Sequence, residues 1–163
     1  MNNYFKDIPK IKFGGKEDNN PLSFKYYNES QVVLGKPMKD QLRFATCYWH
    51  TFTWPGLDPF GGPTFDRPWM KAGNSIEMAE LKLEEAFDFF TKITTPYFCF
   101  HDRDISPEGE SYAETQKNFH HIVDLMEKKI QDTGVKLLWG TANAFSHKRY
   151  MGGASTNPDP EVF

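Results

Sequence analysis

Three short apolar runs, separated by two long amphipathic segments, leave this chain few ways to fold. The first run, Leu42-Arg43-Phe44-Ala45-Thr46-Cys47-Tyr48-Trp49, is β-prone and ends in His50-Thr51-Phe52. The second, Tyr97-Phe98-Cys99-Phe100, is opened by Pro96 and ends in His101-Asp102-Arg103-Asp104. The third, Val135-Lys136-Leu137-Leu138-Trp139, runs into a Gly-Thr-Ala-Asn loop. Between the first two, residues 75–93 read as a helix capped by Asn74 or Ser75, with Glu77 three after Asn74 as a capping box requires. Its apolar residues Ile76, Ala79, Leu83, Ala86, Phe87 and Phe90 keep helical spacing. A second helix is predicted over 111–133, with Ser111 and Glu114 as its capping box and Gly134 as its stop. Its stripe includes Phe119, Ile122, Val123, Leu125 and Met126. Strands that alternate with helices predict an α/β fold of parallel strands joined by right-handed crossovers.

The rest of the chain is less periodic. Residues 1–40 carry turn signals at Gly14-Gly15, Asn19-Asn20-Pro21 and Gly35-Lys36-Pro37, and read as an irregular N-terminal arm lying over another surface. The α/β part is then residues 41–163. The stretch 53–74 is dense in Pro and Gly and long for a simple connection, which suggests a functional or interface loop. Asn157-Pro158-Asp159-Pro160-Glu161-Val162-Phe163 reads as the capped start of a third helix that the chain does not complete. No internal repeat stands out.

Composition narrows the partners. With a net charge of −3 and Lys and Arg interleaved among the acids, no basic stripe suited to a phosphate backbone exists, so nucleic acid is not expected. No apolar run approaches the roughly 18 residues that span a bilayer, and the N-terminus lacks the apolar core of a secretory signal. Cys47 and Cys99 both lie in apolar runs; buried free thiols in a reducing cytoplasm are expected, and a disulfide stays open should the two strands be neighbours. The 15 Phe, 7 Tyr and 4 Trp concentrate around 44–69 and 87–100. Such walls suit a core, a subunit interface or a sugar pocket, and composition does not choose among them.

Sites in parallel α/β folds form at the carboxyl ends of the strands. The three predicted strands deliver Trp49, His50 and Thr51, then His101, Asp102 and Asp104, then Trp139, Thr141 and Asn143 to one rim. His101 and Asp104 form the sharpest pair: a carboxylate on one ring nitrogen fixes the tautomer and frees the other as base or donor. The alternatives are an ordinary loop histidine among surface acids, or a metal site built from His101, Asp102 and Asp104. His120 and His121 read as solvated helix surface, His147 as loop surface, and His50 as either a pocket neighbour or a strand end.

Three long motifs in one order carry a resemblance. The segment 43–52 resembles the first barrel strand of xylose isomerases of the longer class, which carry an N-terminal extension. Residues 97–104 with Pro107-Glu108-Gly109 resemble that family's catalytic strand. Residues 136–143 with Gly153-Ala154-Ser155-Thr156-Asn157-Pro158 are similar to its third strand and following loop. The resemblance covers essentially the whole chain.

It implies the first three strands and two crossover helices of a (β/α)₈ TIM barrel. It also implies an activity, interconversion of D-xylose with D-xylulose and of D-glucose with D-fructose, by a hydride shift assisted by two divalent metals (Mg, Mn or Co) in a tetramer. By resemblance His101 contacts the sugar ring oxygen and assists ring opening, with Asp104 fixing its tautomer. Trp49, Trp139, Thr141 and Phe145 would line the substrate pocket, and Phe60 would reach into a neighbouring subunit's pocket. The family's metal ligands and substrate lysine come from strands four through eight, so no metal ligand is expected here. Three strands cannot close an eight-stranded barrel. A piece of a divided enzyme completed by a C-terminal portion is the first expectation. A truncated fragment that acts only through assembly is the second, and a different metal-dependent barrel enzyme a weaker third.

Overall fold

The computed structural model describes residues 4–71 and 73–162. The first three residues of the expected arm, and the last residue of the expected third helix, lie outside the described residues. The fold is mixed α/β with a parallel sheet, ordered β1 (Ala45–Cys47), β2 (Tyr97–His101), β3 (Lys136–Thr141). Ala45 pairs with Tyr97 and Cys47 with Cys99, while β2 and β3 slip by one residue after Phe98 and bring His101 opposite Thr141.

Helix α1 (Ser75–Lys92) begins where its capping box predicts. The Asn74 carboxamide oxygen accepts from the backbone N–H of Ile76 and of Glu77, and Glu77 accepts from the N–H of Asn74, all at 3.0 Å. Its buried residues Ala79, Leu83, Ala86, Phe87 and Phe90 recur at helical spacing. Helix α2 (Tyr112–Thr133) ends at Gly134, whose φ of 74° is the left-handed cap that glycine adopts without strain. Only half of its expected capping box forms. Ser111 Oγ accepts from the Glu114 N–H, but the Glu114 carboxylate accepts from the N–H of Glu110. Folding back of the Glu108–Glu110 loop presents that donor first.

The first strand is shorter than its composition predicts. Leu42–Phe44 lie outside it, and Tyr48 turns into helical geometry (φ −67°, ψ −41°) to begin a wide helical turn over Trp49–Thr53. Tyr48 and Phe52 are both buried with rings 5.2 Å apart, and a fully extended backbone would hold them much further from each other. Core packing overrides β propensity here. The third strand, in contrast, runs two residues past Trp139 because Gly140 and Thr141 find ladder partners in Phe100 and His101.

Phe52, Phe87, Phe90 and Phe98 form the centre of the core, with Phe90 and Phe98 stacked at 5.4 Å. The buried Trp69 ring donates from Nε1 to the Phe52 carbonyl at 2.9 Å, which ties the end of the 53–74 loop to the turn after β1. The N-terminal segment holds two short strand pairs and a hairpin turn at Leu34-Gly35. It docks on α1 through the Tyr4 N–H to Glu85 (3.0 Å), the Ile11 N–H to the Lys92 carbonyl (2.7 Å), and Phe5 against Trp69 and Phe89. Residues 157–162 form turns and not the expected helix start: Asn157 and Asp159 each cap the N–H two residues on. Six residues make too few i→i−4 bonds to offset helix nucleation. Both cysteines are free, although their strands are neighbours. No helix among the described residues is long and apolar enough to cross a membrane.

Candidate active site

The carboxyl end of β2 carries the chemistry. After His101 the backbone enters a short helical turn, Asp102–Ile105, which swings Asp104 back over the strand end. Asp104 Oδ2 accepts from the backbone N–H of His101 and from its Nδ1, both at 2.9 Å. An ionised carboxylate only accepts, so Nδ1 carries a proton and Nε2 is the nitrogen left to meet a ligand, as acceptor in the neutral ring and as donor in the imidazolium. The Asp104 side chain is buried and the His101 ring nearly so. Three of the expected pocket residues close around that ring: Trp49 at 4.8 Å, Phe145 at 5.4 Å and Trp139 at 6.0 Å between centroids. Trp49 and Trp139 also face each other at 5.4 Å. Trp49 comes from the helical turn after β1, Trp139 from β3, and Phe145 from the loop beyond it. Three elements thus build one aromatic wall around one imidazole.

Thr141 lies opposite His101 in the sheet register and is exposed. Phe60 is not brought to the site. It projects from the Asp58–Gly61 turn at 98% exposure, held by its N–H to Asp58 Oδ1 at 2.7 Å. Asp102 is directed elsewhere too: its Oδ1 accepts from the N–H of Arg103 (2.7 Å) and of Asn143 (2.8 Å), and so joins the loops after β2 and β3. With Asp104 turned to His101 and Asp102 to backbone, no group of three His, Cys, Asp or Glu among the described residues is placed to hold a metal ion. The other histidines stay away from the pair. His121 bonds Glu80 across the two helices at 2.6 Å, His147 Nδ1 accepts from the Arg149 N–H at 3.2 Å, and His50 is exposed beside Trp54. A cleft of about 640 Å³ lined by Asp102, Arg103, Tyr112, Asn143 and Arg149 adjoins the pair but does not contain it.

Three buried groups were not foreseen from the chain. Glu85 receives the arm's Tyr4 N–H; burial raises its carboxyl, and that hydrogen bond acts in the other direction. Tyr48 is fully enclosed, and burial, then the charges of Asp104 and Glu84, push its phenol far up. Lys82 is buried on α1, and burial pushes its ammonium down to about 8 while Asp104 acts to raise it. The available signal was the place of Lys82 inside the apolar stripe, one residue before Leu83 and three after Ala79.

No family model matches the chain. Among curated proteins, it is 58% identical over 163 residues to the xylose isomerase of Photobacterium profundum, which covers all of this chain and 37% of that protein. It is 61% identical over 160 residues to the xylose isomerase of Allorhizobium ampelinum, 98% of this chain and 36% of that protein. It is 56% identical over 163 residues to that of Roseobacter denitrificans, 100% of this chain and 37% of that protein. The chain therefore spans about 37% of the length of the relatives it matches. With identity of 56–61% sustained from end to end, this chain is a homologue of the xylose isomerases over its full length, matching a stretch consistent with their N-terminal portion.

Proposed function

We propose that this chain supplies the catalytic histidine of an aldose–ketose isomerase, one that interconverts D-xylose with D-xylulose and D-glucose with D-fructose by a hydride shift. The single observation that carries the reading is the His101–Asp104 pair, set in an aromatic wall at the carboxyl end of parallel strands. With Nδ1 committed to Asp104, Nε2 is the nitrogen left to meet the sugar; in the protonated ring it donates to the sugar ring oxygen and so assists the breaking of the C1–O bond in ring opening. Trp49, Trp139 and Phe145 give the apolar faces against which a sugar stacks, and they keep water from the reacting carbons. Thr141 adds a hydroxyl at the pocket's edge. The described residues do not fit the two divalent ions (Mg, Mn or Co) used by the family, so this chain's part is confined to binding, orienting and opening the sugar.

The same reading makes the fold the first three strands of a TIM barrel, entered by the arm of residues 1–40, with a C-terminal portion supplying the later strands and the metal ligands. Exposure of Leu137, Leu138 and Trp139 on β3 supports a missing neighbour at that edge. The exposed Phe60 supports a tetramer in which this ring enters a neighbouring subunit's pocket. The reading also places the protein in the cytoplasm, where two free thiols stay reduced. The same exposed edge and ring favour a second reading, a fragment that acts only by assembly.

Co-expression of the chain with the C-terminal portion of a curated relative tests both. The expected result is xylose turnover by the complex and none by the chain alone, with His101→Gln in the complex slower by about 10² or more. Turnover by the pure chain, or full activity of His101→Gln, would sink the reading; a complex that assembles and never turns over supports the second one.

A further inference from the structure

We propose that Arg67 and Trp69, at the end of the 53–74 loop, are positioning residues for Trp49: their N–H groups hold the wide helical turn that sets Trp49 against His101. This rests on the function proposed above, in which Trp49 lines the sugar pocket. The turn, Trp49–Thr53, is five residues long. It is closed by the Trp54 N–H, which donates to the Trp49 carbonyl at 2.6 Å. A piece that short has no following turn to supply N–H donors for its last carbonyls, and short wide turns of this kind recur at functional sites. The loop supplies donors instead. Arg67 Nη2 donates to the His50 carbonyl at 3.1 Å, and Trp69 Nε1 to the Phe52 carbonyl at 2.9 Å.

Both ends of the held turn touch the His101–Asp104 pair. At its start the Trp49 ring lies 4.8 Å from the His101 ring, and at its end the Thr53 hydroxyl donates to the Asp104 carbonyl at 3.4 Å. The donors are themselves fixed. Trp69 is buried, with the Phe52 ring at 5.7 Å and the arm's Tyr4 and Phe5 at 6.0 and 6.2 Å. The half-buried Arg67 guanidinium lies 4.7 Å from the Phe65 ring and 5.8 Å from the Trp69 ring, contacts that keep its planar fork in one orientation. Its acidic neighbour Asp66 pairs with Lys71 at 2.6 Å, so the guanidinium is left to the carbonyl. Burial of Phe52 anchors the far end of the turn, whereas His50, next to Trp49, is exposed and gains its tether from Arg67. Without that tether the backbone at Trp49–His50 is free to pivot and to carry the indole off the imidazole.

The test uses the chain completed by the C-terminal portion, with Arg67→Met, Trp69→Phe (which keeps a ring and loses the N–H), Trp49→Ala and the Arg67→Met/Trp49→Ala double variant. Arg67→Met is expected to raise KM for xylose by about fivefold. In the Trp49→Ala background it changes KM by less than about twofold, because Arg67 acts through Trp49. A second readout does not need turnover. In complex labelled with 5-fluorotryptophan, the ¹⁹F line of Trp49, assigned by its loss in Trp49→Ala, moves in Arg67→Met and in Trp69→Phe. A merely structural role predicts a lower urea midpoint with the Trp49 line in place. Wild-type KM in Arg67→Met, an equal KM rise in the Trp49→Ala background, or an unmoved Trp49 line would overturn the proposal. A complex that isomerises no aldose refutes the proposed function, while the Trp49 line still decides the positioning. If one of the two loop variants does not fold, the Trp49 line in the other decides it alone.

Discussion

Asp104 accepts from the backbone and from the ring of the same histidine, so one carboxylate sets both where β2 ends and which imidazole nitrogen carries the proton. Replacing it with Asn keeps the shape and one acceptor oxygen but removes the negative charge that stabilises a protonated imidazole and lets an N–H₂ compete for the Nδ1 position. We expect Asp104→Asn to lower kcat of the completed enzyme by about 10² or more, with KM little changed, in steady-state xylose assays. Lys82 brings a stability prediction of its own. Its folded-state pKa of about 8 lies below the ordinary 10.5, so the cost of burying its charge is full below pH 8 and is relieved as pH rises toward 10.5. Stability therefore gains from this group across that window, and Lys82→Met removes the gain. Urea midpoints of both proteins at pH 7 and pH 10 check it, the difference between them being the quantity read. Both residues were visible as letters, but only the His-x-x-Asp spacing suggested a contact. Local spacing by itself does not settle that Lys82 is buried, since that is decided by how α1 packs.

The elements differ in how far local chemistry decides them. Helix α1 starts at Ser75 because Asn74 and Glu77 satisfy each other's orphan N–H groups, a device complete within four residues. Asn74→Ala removes both bonds to its side chain and is expected to cost about 1 kcal/mol, read as a lower denaturant midpoint with an unchanged slope. Helix α2 stops at Gly134 for an equally local reason, its positive φ. The first strand is another case. Its eight β-prone residues contain only three in the sheet, because burying Tyr48 and Phe52 together requires a helical turn that propensity does not encode. The Glu114 carboxylate likewise goes to a loop N–H whose position depends on tertiary folding.

At the scale of the molecule, one side of the sheet is well covered and one edge is not. Phe87, Phe90 and Phe98 seal the layer between α1 and the sheet, while every residue of β3 is exposed. An apolar edge strand with unpaired N–H and C=O groups recruits other chains. The isolated chain is expected to elute as oligomer in size-exclusion chromatography and to become a defined complex once the C-terminal portion is added. A stable monomer of the chain alone would count against a neighbouring strand at that edge. The composition question, whether the aromatics serve core, interface or pocket, resolves by position. Phe52, Phe87, Phe90 and Phe98 are core, Trp49, Trp139 and Phe145 surround His101, and Phe60 points outward.

The sequence by itself determined the alternation of the three sheet strands with α1 and α2, the start of α1, the stop of α2 and the kinship with the xylose isomerases, and its His-x-x-Asp spacing permitted the His101–Asp104 contact. Each is encoded over a few neighbouring residues or as a run of motifs. Only the tertiary structure decided that Trp49 leaves its strand on a helical turn to meet His101, that Asp102 joins two loops, and that Lys82 is buried. Those depend on contacts between residues far apart in the chain, where burial and packing choose among conformations that local preference leaves nearly equal.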